Sequence, residues 1–186
     1  FTAASDGTIQ LGFAGSVGKK ELLGSALRAL THLSESESKR LRFCLVGPDW
    51  GSLKKDLGED APLLDRFKPQ IRCHGRLPHA DTLARIAESD FTILLRPVAR
   101  FSQAGFPTKL AESMAAGVPV LANLSSNIGD YIRDGREAIV VPDGSSEAVA
   151  QGLRRILALN PDERQAMRAA ARECARTCFD YRNYVE

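Results

Sequence analysis

Short apolar runs alternate with longer amphipathic stretches along most of the chain. Runs of four to seven residues that are rich in branched and aromatic side chains predict strands, at residues 8–14, 41–46, 70–74, 91–95, 118–121 and 138–141. Apolar residues at every third or fourth position predict helices, over about 19–33, 81–89, 107–117, 146–157 and 161–178. The run 91–95 is apolar almost throughout, as expected for a central strand that is covered on both faces.

The remaining segments predict shorter or irregular structure. Residues 34–40 suggest a polar surface break, 52–68 two short helical pieces, 98–103 an irregular loop, 128–132 a helical turn and 181–186 part of another helix. Strands that alternate with helices at this spacing indicate βαβ units. The expected fold is therefore α/β, a doubly wound (Rossmann-like) parallel six-stranded sheet in a single domain of residues 1–186.

Residues 104–123 carry the main candidate chemistry. Pro107 suits the first helical position, and Gly117 suits a left-handed helix end. Lys109 and Glu112 are three residues apart, so they share one face of the helix. A loop of small residues, a helix N-terminus and a lysine together favour an anion, whereas the neighbouring carboxylate favours hydroxyl groups. Phosphate beside hydroxyl suggests a nucleotide.

A second loop of small residues, 12–20, follows the first predicted strand. It is not a P-loop, because Gly12 is one residue too far from Gly18 and Lys20 stands where Ser or Thr would bind magnesium. Its glycine spacing does not fit the dinucleotide-binding pattern either. Ligands of doubly wound sheets bind beyond the carboxyl ends of the strands where the strand order reverses, so the two loops are expected to face each other across one crevice. Considered by itself, this loop is equally consistent with a phosphate-binding loop and with a tight turn whose lysines are solvated.

Composition narrows the class of protein. A net charge of +2, no basic run and 6% aromatic residues argue against nucleic acid as a partner, and no apolar stretch reaches the roughly 18 residues of a membrane helix. Cys44, Cys73, Cys174 and Cys178 form no CxxC pair and no cluster with histidine, which predicts buried or half-buried thiols in a reducing compartment. The lack of a signal peptide predicts a cytoplasmic protein, and the start at Phe1 suggests a trimmed fragment.

An ordered set of motifs resembles the donor-binding segment of GT-B retaining glycosyltransferases of the family-4 type (glycosyl transferases group 1). The motifs are Phe13-Ala14-Gly15-Ser16 with Lys19-Lys20, Leu45-Val46-Gly47, Ile71 to Gly75, Gly105-Phe106-Pro107-Thr108-Lys109, Gly117-Val118-Pro119-Val120 and Tyr131 to Pro142. The resemblance covers nearly the whole chain. It implies the C-terminal, nucleotide-sugar-binding half of a two-domain enzyme, in which residues 179–186 begin the helix that crosses to an absent N-terminal domain.

The resemblance also implies roles for individual residues. The expected catalytic residues are Lys109, which would hold the diphosphate, and Glu112, which would bind the ribose hydroxyls. The other expected donor contacts are Gly15, Ser16, Lys19 and Lys20 at the phosphates, His74, Gly75 and Arg76 near the base, and Gly105, Phe106, Pro107 and Thr108 at the sugar and phosphate.

The implied reaction is glycosyl transfer with retention from a nucleotide-diphosphate sugar, in polysaccharide or cell-envelope glycan synthesis, with no cofactor and no metal. The acceptor would be a glycan or a lipid-linked molecule bound through the missing N-terminal domain. A lipid-linked acceptor would bring the full-length protein into peripheral contact with the inner face of the membrane.

Two positions depart from the family's pattern. Ala104 stands where the first glutamate of an E-x7-E motif is expected, and Ser16 stands where an arginine often follows the loop glycine. The first departure removes a carboxylate contact to the donor sugar, and the second shifts diphosphate binding toward lysines. Two other classes stay open: an enzyme resembling nucleotide-sugar epimerases on the same architecture, and a non-catalytic α/β binding or signalling module. If the chain is a glycosyltransferase donor domain, it is expected to bind nucleotide in isolation but not to catalyse sugar transfer.

Overall fold

A parallel sheet forms the centre of the computed structural model, in which the described residues are 7–18 and 20–185, without the side chain of Tyr184. The six strands within that part of the chain are β1 (Ile9–Ala14), β2 (Leu41–Val46), β3 (Ile71–Gly75), β4 (Phe91–Leu94), β5 (Val120–Asn123) and β6 (Ala138–Val141). They lie in the order β3-β2-β1-β4-β5-β6. The strand order reverses between β1 and β4, and the prediction of a doubly wound α/β (Rossmann-like) sheet is confirmed.

Helices cover both faces of this sheet. They are α1 (Leu23–Ala29), α2 (Glu35–Lys39), α3 (Trp50–Leu57), α4 (Pro62–Arg66), α5 (His79–Ala87), α6 (Arg100–Gln103), α7 (Thr108–Ala115), α8 (Ser146–Ala158) and α9 (Pro161–Cys178). Short 3-10 turns lie at Leu30–His32, Gly58–Asp60, Lys68–Gln70, Ile128–Asp130 and Tyr181–Tyr184. Helices α1 and α8 pack together on one side, and α7 packs with α5 and α9 on the other.

The sheet separates two apolar cores. Phe13 of β1 and Leu153 of α8 belong to the larger core, whereas Met114 of α7 and Ala171 of α9 belong to the smaller one. All four side chains are buried almost completely. Apolar side chains pack against both faces of the sheet. This packing fixes the carboxyl ends of β1 and β4 and the start of α7.

Helix α1 begins at Leu23, so the predicted start near residue 19 is wrong. Gly18 and Glu21 form an isolated antiparallel bridge, and Glu21 N donates to Gly18 O at 3.2 Å. Leu22 N then donates to Leu95 O at 2.9 Å. These bonds hold the segment in a turn across the end of β4, and the helix starts only after it.

Other segments also differ from the prediction. The expected surface break at 34–40 contains α2, because Ser34 and Glu37 form a capping box in which Glu37 N donates to Ser34 Oγ at 3.2 Å. The expected irregular segment 98–103 contains the short helix α6. Strand β5 starts two residues late, since Val118 N still donates to Ser113 O at 2.9 Å in the helix end around Gly117, whose φ is +69° as predicted.

Candidate functional site

The carboxyl ends of β1 and β4 are neighbours, and doubly wound sheets bind ligands in a crevice beyond such ends. The two strands pair in parallel through Leu11 with Phe91 and Gly12 with Thr92. The loop after β1 forms one side of the crevice, and the segment from Leu95 to α7 forms the other. The position expected from the strand order is thus where the two loops of small residues meet.

Glycines let the loop after β1 lie against its neighbour. Gly15 N donates to Val46 O at 2.9 Å, and Gly47 N donates to Gly75 O at 2.6 Å. Gly47 has a φ of +106°, and a Cβ there would collide with the Gly15 carbonyl oxygen. The loops after β1, β2 and β3 therefore form one continuous surface at this end of the sheet.

Lys109 brings the two sides of the crevice together. Its ammonium lies where a Cβ on Gly15 would be, and it sits 5.1 Å from the centre of the Phe13 ring. Its Nζ donates to Glu21 Oε1 at 2.7 Å. The side chain of Lys109 is 32% exposed and that of Glu21 only 11%. A cation from the first turn of α7 is thus fixed beside the loop after β1.

Glu112 lies one turn further along α7. With Lys109, Ala14 and Thr82, it lines a small cavity of about 20 Å³ between α5 and α7, which is room for about one water molecule. Its carboxylate forms no hydrogen bond or ion pair with the described residues. The crevice therefore has a cation on one helical turn and a free acceptor on the next.

The other residues predicted at the phosphates lie around the same loop. Ser16 and Lys20 are exposed, and Lys20 belongs to the turn before α1 rather than to a helix start. Lys19 lies outside the described residues. Sequence reasoning missed Glu21, although it directly follows the two lysines, because its partner is 88 residues away and only the fold joins them.

A network of buried polar groups shapes the segment between β4 and α7. Arg96 N donates to Asn123 Oδ1 at 2.9 Å, and Asn123 Nδ2 donates to Arg96 O at 2.8 Å. The guanidinium of Arg96 donates to Gly105 O at 3.2 Å. Arg96 is 7% exposed, so it holds this loop from within.

The residues predicted at the donor sugar split between two environments. Gly105 and Thr108 are exposed, whereas Pro107 is buried and caps α7, one residue before the predicted position. The ring of Phe106 packs on Tyr131 and Phe179, with ring centres 5.4 Å away in both cases. This aromatic cluster ties the entrance of α7 to the C-terminal segment.

His74 lines a different groove from Lys109 and Glu112. The groove lies over β2 and β3 and also contains Arg72, Arg85 and Glu88. Partial burial, together with the nearby positive charges of Arg85 and Arg72, lowers the pKa of His74. The next predicted contact residue, Arg76, is exposed beyond the end of β3.

The cysteines are free and buried or half-buried, as predicted. Burial raises the pKa of the Cys73 thiol to about 11 and that of Cys174 to about 12. Within residues 7–18 and 20–185, no three His, Cys, Asp or Glu side chains converge as metal ligands would. None of the helices in that part of the chain combines the length and apolar character needed to cross a bilayer.

The fold defines a doubly wound α/β protein whose candidate ligand site lies where the strand order reverses. A family described as glycosyl transferase-like matches residues 21–186. Because this match covers most of the chain, the chain belongs to the glycosyl transferase-like family. The resemblance to the C-terminal domain of group 1 glycosyltransferases is thereby confirmed.

The curated relatives are longer proteins. The chain is 29% identical over 157 residues to the putative colanic acid biosynthesis glycosyltransferase WcaL of Escherichia coli (strain K12), and 27% identical over 163 residues to WcaL of Salmonella typhimurium. Each match covers 83% of this chain and 37% of the relative. The chain thus spans little more than a third of these proteins.

Solved glycosyltransferase structures share the fold. The Anabaena protein HepE in complex with UDP and glucose superposes with a TM-score of 0.70 and 15% identity, over 95% of this chain and 46% of HepE. Sucrose-phosphate synthase from Thermosynechococcus elongatus gives a TM-score of 0.71 and 18% identity, over 97% of this chain and 43% of that protein. The expectation of a Rossmann-like domain of the GT-B type is confirmed.

Proposed function

We propose that this chain is the nucleotide-sugar-binding domain of a retaining glycosyltransferase, and that the donor occupies the crevice between the loop after β1 and helix α7. The position of the Lys109 ammonium, beside Gly15 and one helical turn from the free carboxylate of Glu112, carries the proposal. This spacing offers a cation to a diphosphate and an acceptor to ribose hydroxyl groups. The family membership supports a transferase over an enzyme resembling epimerases or a binding module.

The same residues can assist the departure of the nucleotide. When the bond to the sugar breaks, negative charge grows on the diphosphate. Lys109 and the N-terminal end of α7 would stabilise that charge. Glu112 would hold the nucleotide through its hydroxyls, and no metal ion is required in this scheme.

The relatives support a narrower proposal about the substrates. The HepE structures contain UDP, UDP-glucose or UDP with glucose, and the named relatives are putative glycosyltransferases of colanic acid biosynthesis. We infer a uridine-diphosphate sugar as the first donor to test, and a glycan or lipid-linked acceptor of polysaccharide synthesis. Acceptor contacts, and any contact with a membrane surface, would come from the part of the full-length protein outside this chain.

Calorimetric titration of the chain with UDP, GDP and ADP tests the donor site. Because a charge-assisted hydrogen bond contributes roughly 1.5–3 kcal/mol, Lys109→Met is expected to weaken nucleotide binding by about 10- to 100-fold. Glu112→Gln is expected to weaken binding of the nucleotides but not of inorganic pyrophosphate, which has no ribose. Titration in EDTA and in magnesium is expected to give the same affinity.

Matched controls separate the site from net charge. Lys54→Met and Glu59→Gln make the same charge changes on exposed residues of α3 and of the turn that follows it. If these controls weaken binding as much as the crevice variants, or if no nucleotide binds, the site is wrong. Retention is checked on the full-length protein by NMR of the anomeric linkage in the product.

A further inference from the structure

Glu21 pairs with Lys109, the residue proposed to bind the donor diphosphate. Its Oε1 accepts from Lys109 Nζ at 2.7 Å, while its Oε2 is buried and has no hydrogen-bond partner among the described residues. The backbone is fixed on both sides, by the bridge between Gly18 and Glu21 and by the bond from Leu22 N to Leu95 O. The carboxylate is thus held in the crevice by its own segment of chain.

Lys109 cannot serve a carboxylate and a phosphate equally at the same time. Gly15 lies against one side of the ammonium, and the Phe13 ring lies beneath it. The Glu21 carboxylate lies at hydrogen-bond distance from the same ammonium. A phosphate that approached the same ammonium would lie close to a carboxylate of like charge, and like charges at this separation repel.

We propose that Glu21 is an internal substitute for the donor diphosphate, which neutralises Lys109 in the ligand-free protein and is displaced when the diphosphate binds. This inference rests on the proposed donor site. The unpartnered Oε2 favours displacement, because the carboxylate gives up one hydrogen bond and gains hydration for both oxygens when it leaves. The loop that carries Glu21 also carries Gly15, so displacement and phosphate binding take place on one segment.

Because Glu21 already pairs with Lys109, the binding affinity of a ligand depends on its negative charge. A ligand must offer Lys109 more than the carboxylate already does, so a diphosphate displaces Glu21 more readily than a monophosphate. The apparent affinity for every phosphate ligand is then lowered by the fraction of protein in which Lys109 is already paired. A ligand without phosphate does not experience this competition.

Titration of the chain with inorganic pyrophosphate tests the inference without assuming a base or a sugar. Glu21→Gln keeps the shape and an acceptor for Lys109 but removes the charge, and it is expected to tighten pyrophosphate binding by about tenfold or more. UDP binding is expected to tighten by a similar factor and UMP binding by less. Glu59→Gln, the matched change on an exposed glutamate, is expected to leave all three affinities unchanged.

The possible results separate this inference from the donor site itself. Pyrophosphate affinity that is unchanged or weaker in Glu21→Gln overturns the role of Glu21, even if UDP binding still depends on Lys109 and Glu112. Tighter pyrophosphate binding with no binding of any nucleotide supports the competition at Lys109 and overturns the nucleotide site. Glu21→Ala is the second variant, and circular dichroism and thermal unfolding check that each variant is folded.

Discussion

Gly47 stands at a position where a side chain would disturb both the backbone and the crevice. Its φ of +106° is strained for any other residue, and an added Cβ would collide with the carbonyl oxygen of Gly15. Gly47→Ala is therefore expected to lower the free energy of unfolding by about 2–4 kcal/mol, measured by urea denaturation. Nucleotide binding is expected to weaken as well, because the displaced Gly15 belongs to the proposed phosphate loop.

Gly135→Ala provides the matched control for Gly47→Ala. Gly135 has a φ of +76°, but a Cβ there would meet no atom within 4 Å. Only the backbone strain applies, so the expected loss is about 1–2 kcal/mol with no change in nucleotide affinity. Equal losses in the two variants would show that the collision with Gly15 has no energetic weight.

At the scale of elements, Asn123 joins the end of β5 to the loop that leaves β4. Its side chain is almost fully buried and satisfies both the N–H and the carbonyl of Arg96. An unsatisfied buried group costs about 1–3 kcal/mol, so Asn123→Ala is expected to destabilise the chain by about 2–4 kcal/mol. Because Arg96 in turn holds Gly105, the variant is also expected to weaken nucleotide binding.

Thermal and urea unfolding measure the effect of Asn123→Ala. The exposed Asn127 gives a control of the same chemistry, and Asn127→Ala is expected to change stability by less than about 0.5 kcal/mol. A neutral Asn123→Ala would mean that water or a rearranged loop satisfies Arg96. It would remove the argument that this network shapes the entrance to α7.

The strands and their order could be predicted from the sequence because each strand carries its own local signal. A run such as 91–95 is apolar almost throughout, and its position in the sheet follows from general rules of chain connection. The same reasoning placed Lys109 and Glu112 on one helical face beside the loop after β1. Local patterns and topology were sufficient for this much of the candidate site.

The parts that could not be predicted depend on contacts between distant segments. The start of α1 is delayed by a bond from Leu22 N to Leu95 O, and Glu21 meets Lys109 only in the folded chain. The backbone of Arg96 is likewise held by hydrogen bonds with Asn123 from another strand. Neither periodicity nor capping rules report such pairings, so these contacts are visible only in the structure.

At the scale of the whole molecule, two apolar cores on opposite faces of a six-stranded sheet in the described residues support a domain that folds independently. The chain also contains the loop after β1 and helix α7, which form the two sides of the proposed donor crevice. It covers little more than a third of its curated relatives, however. We therefore expect the chain alone to bind nucleotide and to transfer no sugar, whereas the full-length protein does both.

Thermal unfolding with and without ligand measures this binding in the isolated chain. With few charged contacts and a substantial cost of association, the expected Kd for the correct nucleoside diphosphate lies between about 1 μM and 1 mM. A ligand at about 100 times its Kd stabilises the folded state by about 2.7 kcal/mol, and the unfolding temperature of a domain of this size then rises by about 5–10 °C. The corresponding nucleoside, which lacks the phosphates, is expected to give a much smaller shift, and Lys109→Met is expected to remove most of the difference.

If the nucleoside and its diphosphate stabilise the chain equally, the phosphates do not bind at Lys109. Sugar transfer by the chain alone would instead show that the acceptor site lies within these residues.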